Sequence, residues 1–179
     1  RQTSSALPNI VFVLTDDLSD NLVQYMPHVL AMERHGMTFS NYTVTDSLCC
    51  PSRASILTGD YPHDTGVFTN EPPLGGDAEF LQHGDEQATV ATALHDAGYR
   101  TALMGKYLNG YEPGTAVGLS SPTPPGWDEW DGVGDGYREF DYLMAQDGAT
   151  RFHAHRPDDY LTTVLERRAT DFIHTTAAG

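Results

Sequence analysis

Lysine is nearly missing from this chain. Nine of its ten basic side chains are arginine and one, Lys106, is lysine, against 25 acids. The resulting net charge of −15 speaks against nucleic acid and anionic membrane surfaces as partners. Cysteine is scarce too: Cys49 and Cys50 are the whole supply, and they are adjacent. That is no disulfide framework, and sequence neighbours bridge only with strain, so no structural staple is expected and the redox compartment stays open. No apolar run approaches the roughly 20 residues of a membrane span, which points to a soluble protein. The start, Arg1-Gln2-Thr3-Ser4-Ser5-Ala6, lacks an initiator methionine and any signal-like apolar stretch, and reads as processed or trimmed. Internal repeats and low-complexity tracts are absent as well. What is there, 179 residues with 39% hydrophobic content, suits one globular domain with a real core. Asn41-Tyr42-Thr43 is a glycosylation sequon, meaningful only in a secreted eukaryotic protein.

Strand-like and helix-like segments alternate. Asn9–Leu14 is a short apolar run with β-branched residues, as in a strand buried on both faces, and it ends at Thr15-Asp16-Asp17. Pro27–His35 predicts a helix stopped by Gly36, and the alternating Met37–Tyr42 predicts a second strand. Thr89–Asp96 predicts a helix closed by Gly98, before a third strand over Arg100–Met104 that ends at Gly105-Lys106. Gly110–Gly136, rich in glycine and proline, predicts an ordered excursion rather than a packed element. Its Trp127 and Trp130 either anchor it by burial or wall a sugar pocket. Phe140–Ala145 predicts a further strand. A last helix starts at Pro157-Asp158-Asp159, with acids early, Arg167-Arg168 late, and an apolar face of Leu161, Val164, Leu165 and Phe172. The alternation implies an α/β fold, a mostly parallel sheet with helices on both faces. Ligands in such sheets gather at the carboxyl ends of strands, where Asp16-Asp17, Cys49 and Lys106 all fall.

The segment Leu48-Cys49-Cys50-Pro51-Ser52-Arg53-Ala54-Ser55-Ile56-Leu57-Thr58-Gly59 carries the most chemistry. Pro51 pre-sets φ for a first helical turn, Ser52 can satisfy a free N–H there, and Gly59 stops the helix. Cys49 and Arg53, four apart, share one face near the positive end of the helix dipole. A nucleophile precursor beside a fixed cation and unpaired backbone donors suits a sulfate- or phosphate-like anion. Asp16 and Asp17 repel one another, so together they want a cation, and hard oxygen ligands favour Ca²⁺ or Mg²⁺. Lys106, the one lysine, stands just past a strand end, where a compact ammonium can bind a single oxygen.

The Cys49 segment resembles the sulfatase signature, Cys-x-Pro-Ser-Arg followed by Leu-Thr-Gly, with every fixed position present. The resemblance implies an alkaline-phosphatase-like fold and oxidation of Cys49 to formylglycine, the catalytic aldehyde. It implies that Asp16, Asp17 and the modified Cys49 bind a metal, Ca²⁺ before Mg²⁺, and that Lys106 contacts the sulfate or the bridging oxygen. Sulfatases commonly carry a histidine two residues after that lysine; here Leu108 stands there, and Asn109 takes over part of its polar role. Gly105-Lys106-Tyr107-Leu108-Asn109, Tyr61-Pro62-His63 and Pro124-Pro125-Gly126-Trp127-Asp128-Glu129-Trp130 look like the branch that includes N-acetylglucosamine-6-sulfatases and heparan 6-O-endosulfatases. His63 is read either as a group that donates to the sulfate or holds the aldehyde loop, or as a histidine behind the site or on the surface. His153 and His155 read as loop residues rather than ligands.

Sulfate ester hydrolysis then follows a covalent cycle. The hydrated aldehyde at position 49 attacks sulfur with one hydroxyl, and its second hydroxyl collapses to expel sulfate. The metal lowers the hydroxyl pKa, Arg53 orients the hydrate, and Lys106 balances charge at the leaving oxygen. The charge of −15 favours small sulfated molecules or sugar chain ends over long polymers, and protonating all eight histidines would bring it to −7. Sulfatases are considerably longer than 179 residues, so the resemblance implies an N-terminal part of the catalytic domain, residues 1–179, inactive alone. Its partners are the remaining C-terminal part, which supplies further metal ligands and a general acid, and a formylglycine-generating maturation enzyme. A secreted, periplasmic or lysosome-like location goes with the family. Two rival readings stay open, a phosphatase or phosphonate ester hydrolase of the same superfamily and a non-catalytic chain with unconverted Cys49. A vicinal-thiol redox or soft-metal site at Cys49-Cys50 would leave Pro51 and the signature unexplained.

Overall fold

A computed structural model describes residues 7–114 and 122–177. The start over residues 1–6, the stretch 115–121 inside the glycine- and proline-rich excursion, and the last two residues lie outside the described residues. The chain divides into two compact units, Arg1–Thr43 and Val44–Gly179.

Among the described residues the first unit holds two helices, α1 (Asp20–Val23) and α2 (Pro27–His35). Pro27 opens α2, Arg34 and His35 lie in its last turn against the dipole, and Gly36 caps it, as the sequence predicts. The two strands expected here do not form. Asn9–Leu14 joins no ladder among the described residues, and its apolar side chains are exposed, Val13 to 77%. Composition gives such a run its strand character, but only a partner edge makes it a strand, and that is not local information. Met37–Tyr42 is interrupted by a turn in which Tyr42 N–H donates to the Phe39 carbonyl at 3.3 Å.

Among the described residues the second unit is a four-stranded sheet with helices packed on it. Its strands are β1 (Ala102–Lys106), β2 (Glu129–Val133), β3 (Tyr142–Gln146) and β4 (Ala149–His153), adjacent in chain order. β1 and β2 are parallel, with Lys106 opposite Val133; β2–β3 and β3–β4 are antiparallel. The sheet is therefore mixed in the described residues, within the expected α/β class. Its helices are α3 (Cys49–Thr58), α4 (Pro62–Thr65), α5 (Gly76–His83), α6 (Val90–Asp96) and α7 (Leu161–Ala177).

Alternation along the strands splits the core in two. Trp130 and Ala145 belong to a cluster with Cys50, Ala54, Leu57, Phe80 and Leu108, whereas Val133, Tyr142 and Met144 belong to one with Leu161 and Val164. Residues of opposite parity face opposite ways, so α3 and α5 cover one face and α7 the other. Helices on both faces were expected.

The Gly110–Gly136 segment departs from expectation, because its end is β2. Trp130 is fully buried there, its indole N–H donating to the Tyr111 hydroxyl at 2.9 Å and its ring meeting Tyr107 edge-on at 4.9 Å. Gly126, with φ +82°, brings the excursion against α6; a Cβ there would stand 2.3 Å from the Thr92 nitrogen. Only glycine fits. Thr89 caps α6 as a capping box with Thr92, one residue inside the predicted start.

Candidate active site

Helix α3 owes its placement to one stripe. Cys50, Ala54 and Leu57 recur at helical spacing, are buried, and seat the helix in the core. Cys49 and Arg53 each precede a member of that stripe, so both lie at its margin, half-buried. Gly59, left-handed at φ 83°, ends the helix with its N–H on the Ser55 carbonyl at 2.8 Å. The N-terminus is capped differently from expectation. Ser52 supplies no cap: its N–H makes the first helical bond, to the Leu48 carbonyl at 3.1 Å. Asn70, twenty residues on, accepts the Cys50 N–H with its Oδ1 at 2.8 Å, and Pro51 has no N–H to satisfy. The sequence hides this cap because the contact is remote.

Arg53 ties α3 to the end of β1. Its Nη1 donates to the Lys106 carbonyl at 2.7 Å and to the Tyr107 carbonyl at 3.4 Å. The Cys49 helix, the guanidinium and the lysine backbone thus form one framework at the carboxyl end of a parallel strand pair. Lys106 Nζ lies 4.8 Å from the centre of the Tyr137 ring and 3.4 Å from its hydroxyl. Tyr137 is a residue that sequence reasoning missed, because β2, from which its loop springs, was not expected.

Beneath α3 the interior is acidic. Burial pushes the Cys50 thiol up, so it stays a thiol, and Tyr107 is raised by burial and by the carboxylates of Glu86 and Asp77. Asp77 is pushed up to about 6 by desolvation, and its Oδ1 finds no hydrogen-bond partner among the described residues. A carboxyl whose folded pKa exceeds its unfolded value of 3.8 favours folding fully below the unfolded value and loses that contribution as pH rises through about 6. Asp77→Asn should therefore be more stable than the parent at about pH 8, by up to about 3 kcal/mol, and nearly equal to it at about pH 4. Urea denaturation at the two pH values checks this.

The remaining candidates differ in their surroundings. Asn109 packs here: its carbonyl accepts the Asp77 N–H at 2.7 Å, while its side-chain Oδ1 is buried with no partner among the described residues. His63 is exposed, stacked on Tyr61 at 5.7 Å and 3.3 Å from Asp64 Oδ2. His153 closes β4, stacked on Tyr142, and lies on a strand rather than in a loop; His155 reaches Asp141 at 3.0 Å. Asp16 and Asp17 belong to the first unit, where Asp17 has a left-handed backbone at φ 51°. Aspartate tolerates that region better than most residues, at a cost that usually marks a specific role.

This chain is similar to known proteins. The sulfatase family model matches residues 8–177. Human N-acetylglucosamine-6-sulfatase is 37% identical over 171 residues, 93% of this chain and 31% of that protein. An extracellular sulfatase SULF-1 homolog from Drosophila melanogaster is 38% identical over 144 residues, 79% of this chain and 12% of that protein. A solved protein in complex with its substrate D-glucosamine-2-N,6-O-disulfate superposes with a TM-score of 0.60 at 26% identity, covering 83% of this chain and 26% of that one. The chain spans less than a third of the length of the curated relatives it matches. No helix among the described residues is long and apolar enough to cross a membrane. The signature from Cys49 to Gly59, the α/β architecture and the match over nearly every residue agree: the chain belongs to the sulfatase family.

Proposed function

We propose that the protein hydrolyses sulfate esters through a formylglycine made by oxidation of Cys49, on 6-sulfated N-acetylglucosamine or a closely similar sugar. The observation that carries this reading is the bond from Arg53, one turn along the Cys49 helix, to the backbone of Lys106. It ties the nucleophile's helix and Arg53 to the segment that carries the second cation, Lys106. Arg53 orients the nucleophile and stabilises the charged sulfate oxygens, adding to the partial positive charge of the α3 N-terminus. Lys106 offsets the charge that develops on the leaving oxygen. Hydrated, the aldehyde offers one hydroxyl to sulfur, releasing the alcohol, and a second to release sulfate.

Asp16 and Asp17, with the modified Cys49, are proposed as ligands of Ca²⁺, or less readily Mg²⁺. Adjacent carboxylates, one in left-handed backbone, are a hard-oxygen donor set that suits such an ion. When bound it neutralises sulfate oxygens and acidifies the attacking hydroxyl. His63 and Asn109 are proposed to contact the substrate, His63 as a donor to the sulfate. Support for the sugar comes from the names of the relatives and from the substrate in the solved neighbour. Further ligands and a general acid are proposed to come from sequence beyond this chain, and a maturation enzyme to convert Cys49, in a secreted, periplasmic or lysosome-like setting.

Two measurements test this on the chain together with its proposed C-terminal part, co-expressed with a formylglycine-generating enzyme. Peptide mass spectrometry should find an aldehyde at position 49 that a hydrazide traps. A panel of aryl sulfates, aryl phosphates and 6-sulfated glucosamines should show turnover of the sulfates. Unconverted Cys49, or turnover of phosphates alone, would overturn the reading.

A further inference from the structure

We propose that Tyr137 is a positioning residue, the cap of a cradle formed by Gly134–Tyr137 that holds the Lys106 ammonium in its working place. The inference rests on the proposed role of Lys106 at the leaving oxygen. Topology brings the two together. β1 and β2 are parallel, with Lys106 opposite Val133, so the chain leaving β2 emerges at the end where Lys106 sits. The turn is fixed by Asp135, whose Oδ1 accepts the Tyr137 N–H at 3.1 Å. Gly136, at φ +74°, lies against the lysine stem: a Cβ there would be 3.3 Å from Lys106 Cβ and under 4 Å from Cγ and Cδ. A side chain at 136 would strain the turn and press on the stem at once.

The stem is thus held by backbone and the ammonium by an aromatic face, with Nζ 4.8 Å from the Tyr137 ring centre and 3.4 Å from its hydroxyl. Both fall within the range of a cation–π contact and a weak hydrogen bond. Tyr137 is 63% exposed, so burial does not account for its place, whereas the contact with the cation does so under this proposal. A lysine is a flexible point charge with many rotamers, and a cradle converts it into a pre-oriented one.

Because Lys106 is the sole lysine, amine acylation followed by peptide mapping reads it alone, with or without catalysis. Tyr137→Leu should raise the acylation rate of Lys106 by about two- to fivefold, the strength of an exposed cation–π contact. Tyr137→Phe, which keeps the ring, should stay close to the parent. In the matured enzyme, Tyr137→Leu should lower kcat more for a sugar sulfate, a poor leaving group, than for an activated nitrophenyl sulfate. KM should change little, and phenylalanine should restore most of the rate. The thermal midpoint of each variant, expected to be unchanged at an exposed position, guards against misfolding. Equal acylation of Lys106 in Tyr137→Leu and parent would overturn the cradle. Faster acylation with equal rate losses on both esters would uphold the cradle and count against Lys106 acting at the leaving oxygen.

Discussion

Arg168→Met is expected to destabilise the fold by about 3–5 kcal/mol at neutral pH, because it strands a buried charge. Asp131, on β2, is fully buried and takes both its bonds from Arg168 on α7, at 2.7 Å from Nε and 3.0 Å from Nη2. The same guanidinium reaches Glu129 at 3.1 Å and Asp147 at 3.7 Å. Three acids therefore lean on one cation, and removing it leaves their repulsion and the desolvation of Asp131 uncompensated. Burial already holds the Asp131 carboxyl above its usual range, with Arg168 pulling it back down. Without Arg168 it rises further, and a raised folded pKa favours folding at low pH, so the loss should shrink as pH falls. The double variant Arg168→Met with Asp131→Leu should recover much of the loss, since a pair replaced by apolar groups leaves no orphan. Urea denaturation followed by tryptophan fluorescence checks this, since Trp130 lies on the same strand as Asp131 and Trp127, the other tryptophan, just before it. A loss below about 1 kcal/mol for the single variant would show that water reaches Asp131.

That buried pair also explains what the sequence conceals. Glu129-Trp130-Asp131-Gly132-Val133 does not look like a core strand, because an aspartate occupies an inward position. Its partner sits 37 residues on, and nothing local announces it. Asn70 and Tyr137 are hidden for the same reason. They act on Cys50 and Lys106 across 20 and 31 residues. Local chemistry, by contrast, was legible. Pro27, Gly59 and Thr89 mark helix ends through backbone rules that need no partner, and α3, α6 and β1 fall within a residue or two of expectation. One local signal was passed over. Asp147-Gly148, with φ of 51° and 79°, is the tight turn joining β3 to β4, and Asp-Gly is among the strongest hairpin cues. Asn9–Leu14 erred the other way, its composition promising a strand that no partner completes in the described residues. The Cys49–Arg53 pairing was legible because helical spacing alone puts the two on one face, whereas the Arg53–Lys106 bond depends on how α3 crosses β1.

The two neighbouring cysteines should separate chemistry from stability. Cys49→Ala is expected to cut turnover of a sulfate ester by at least about 10,000-fold, since without a nucleophile only binding and charge stabilisation remain. Its effect on the unfolding midpoint should be small, because the residue is half-buried at the margin of the stripe that seats α3. Cys50→Ala should do the reverse. Cys50 is fully buried in the core cluster, so the truncation leaves a small void and costs about 1–2 kcal/mol, while the aldehyde one residue earlier still forms. The thiol at 50 is held protonated by its burial and is no substitute nucleophile. Activity measured on matured protein, beside urea denaturation of the same preparations, reads both effects. Turnover that survives Cys49→Ala at more than about one hundredth of the parent would mean that the attacking group is not made from that residue. Equal losses in both variants would mean that α3 had moved as a whole, and that its seating rather than its chemistry had been measured.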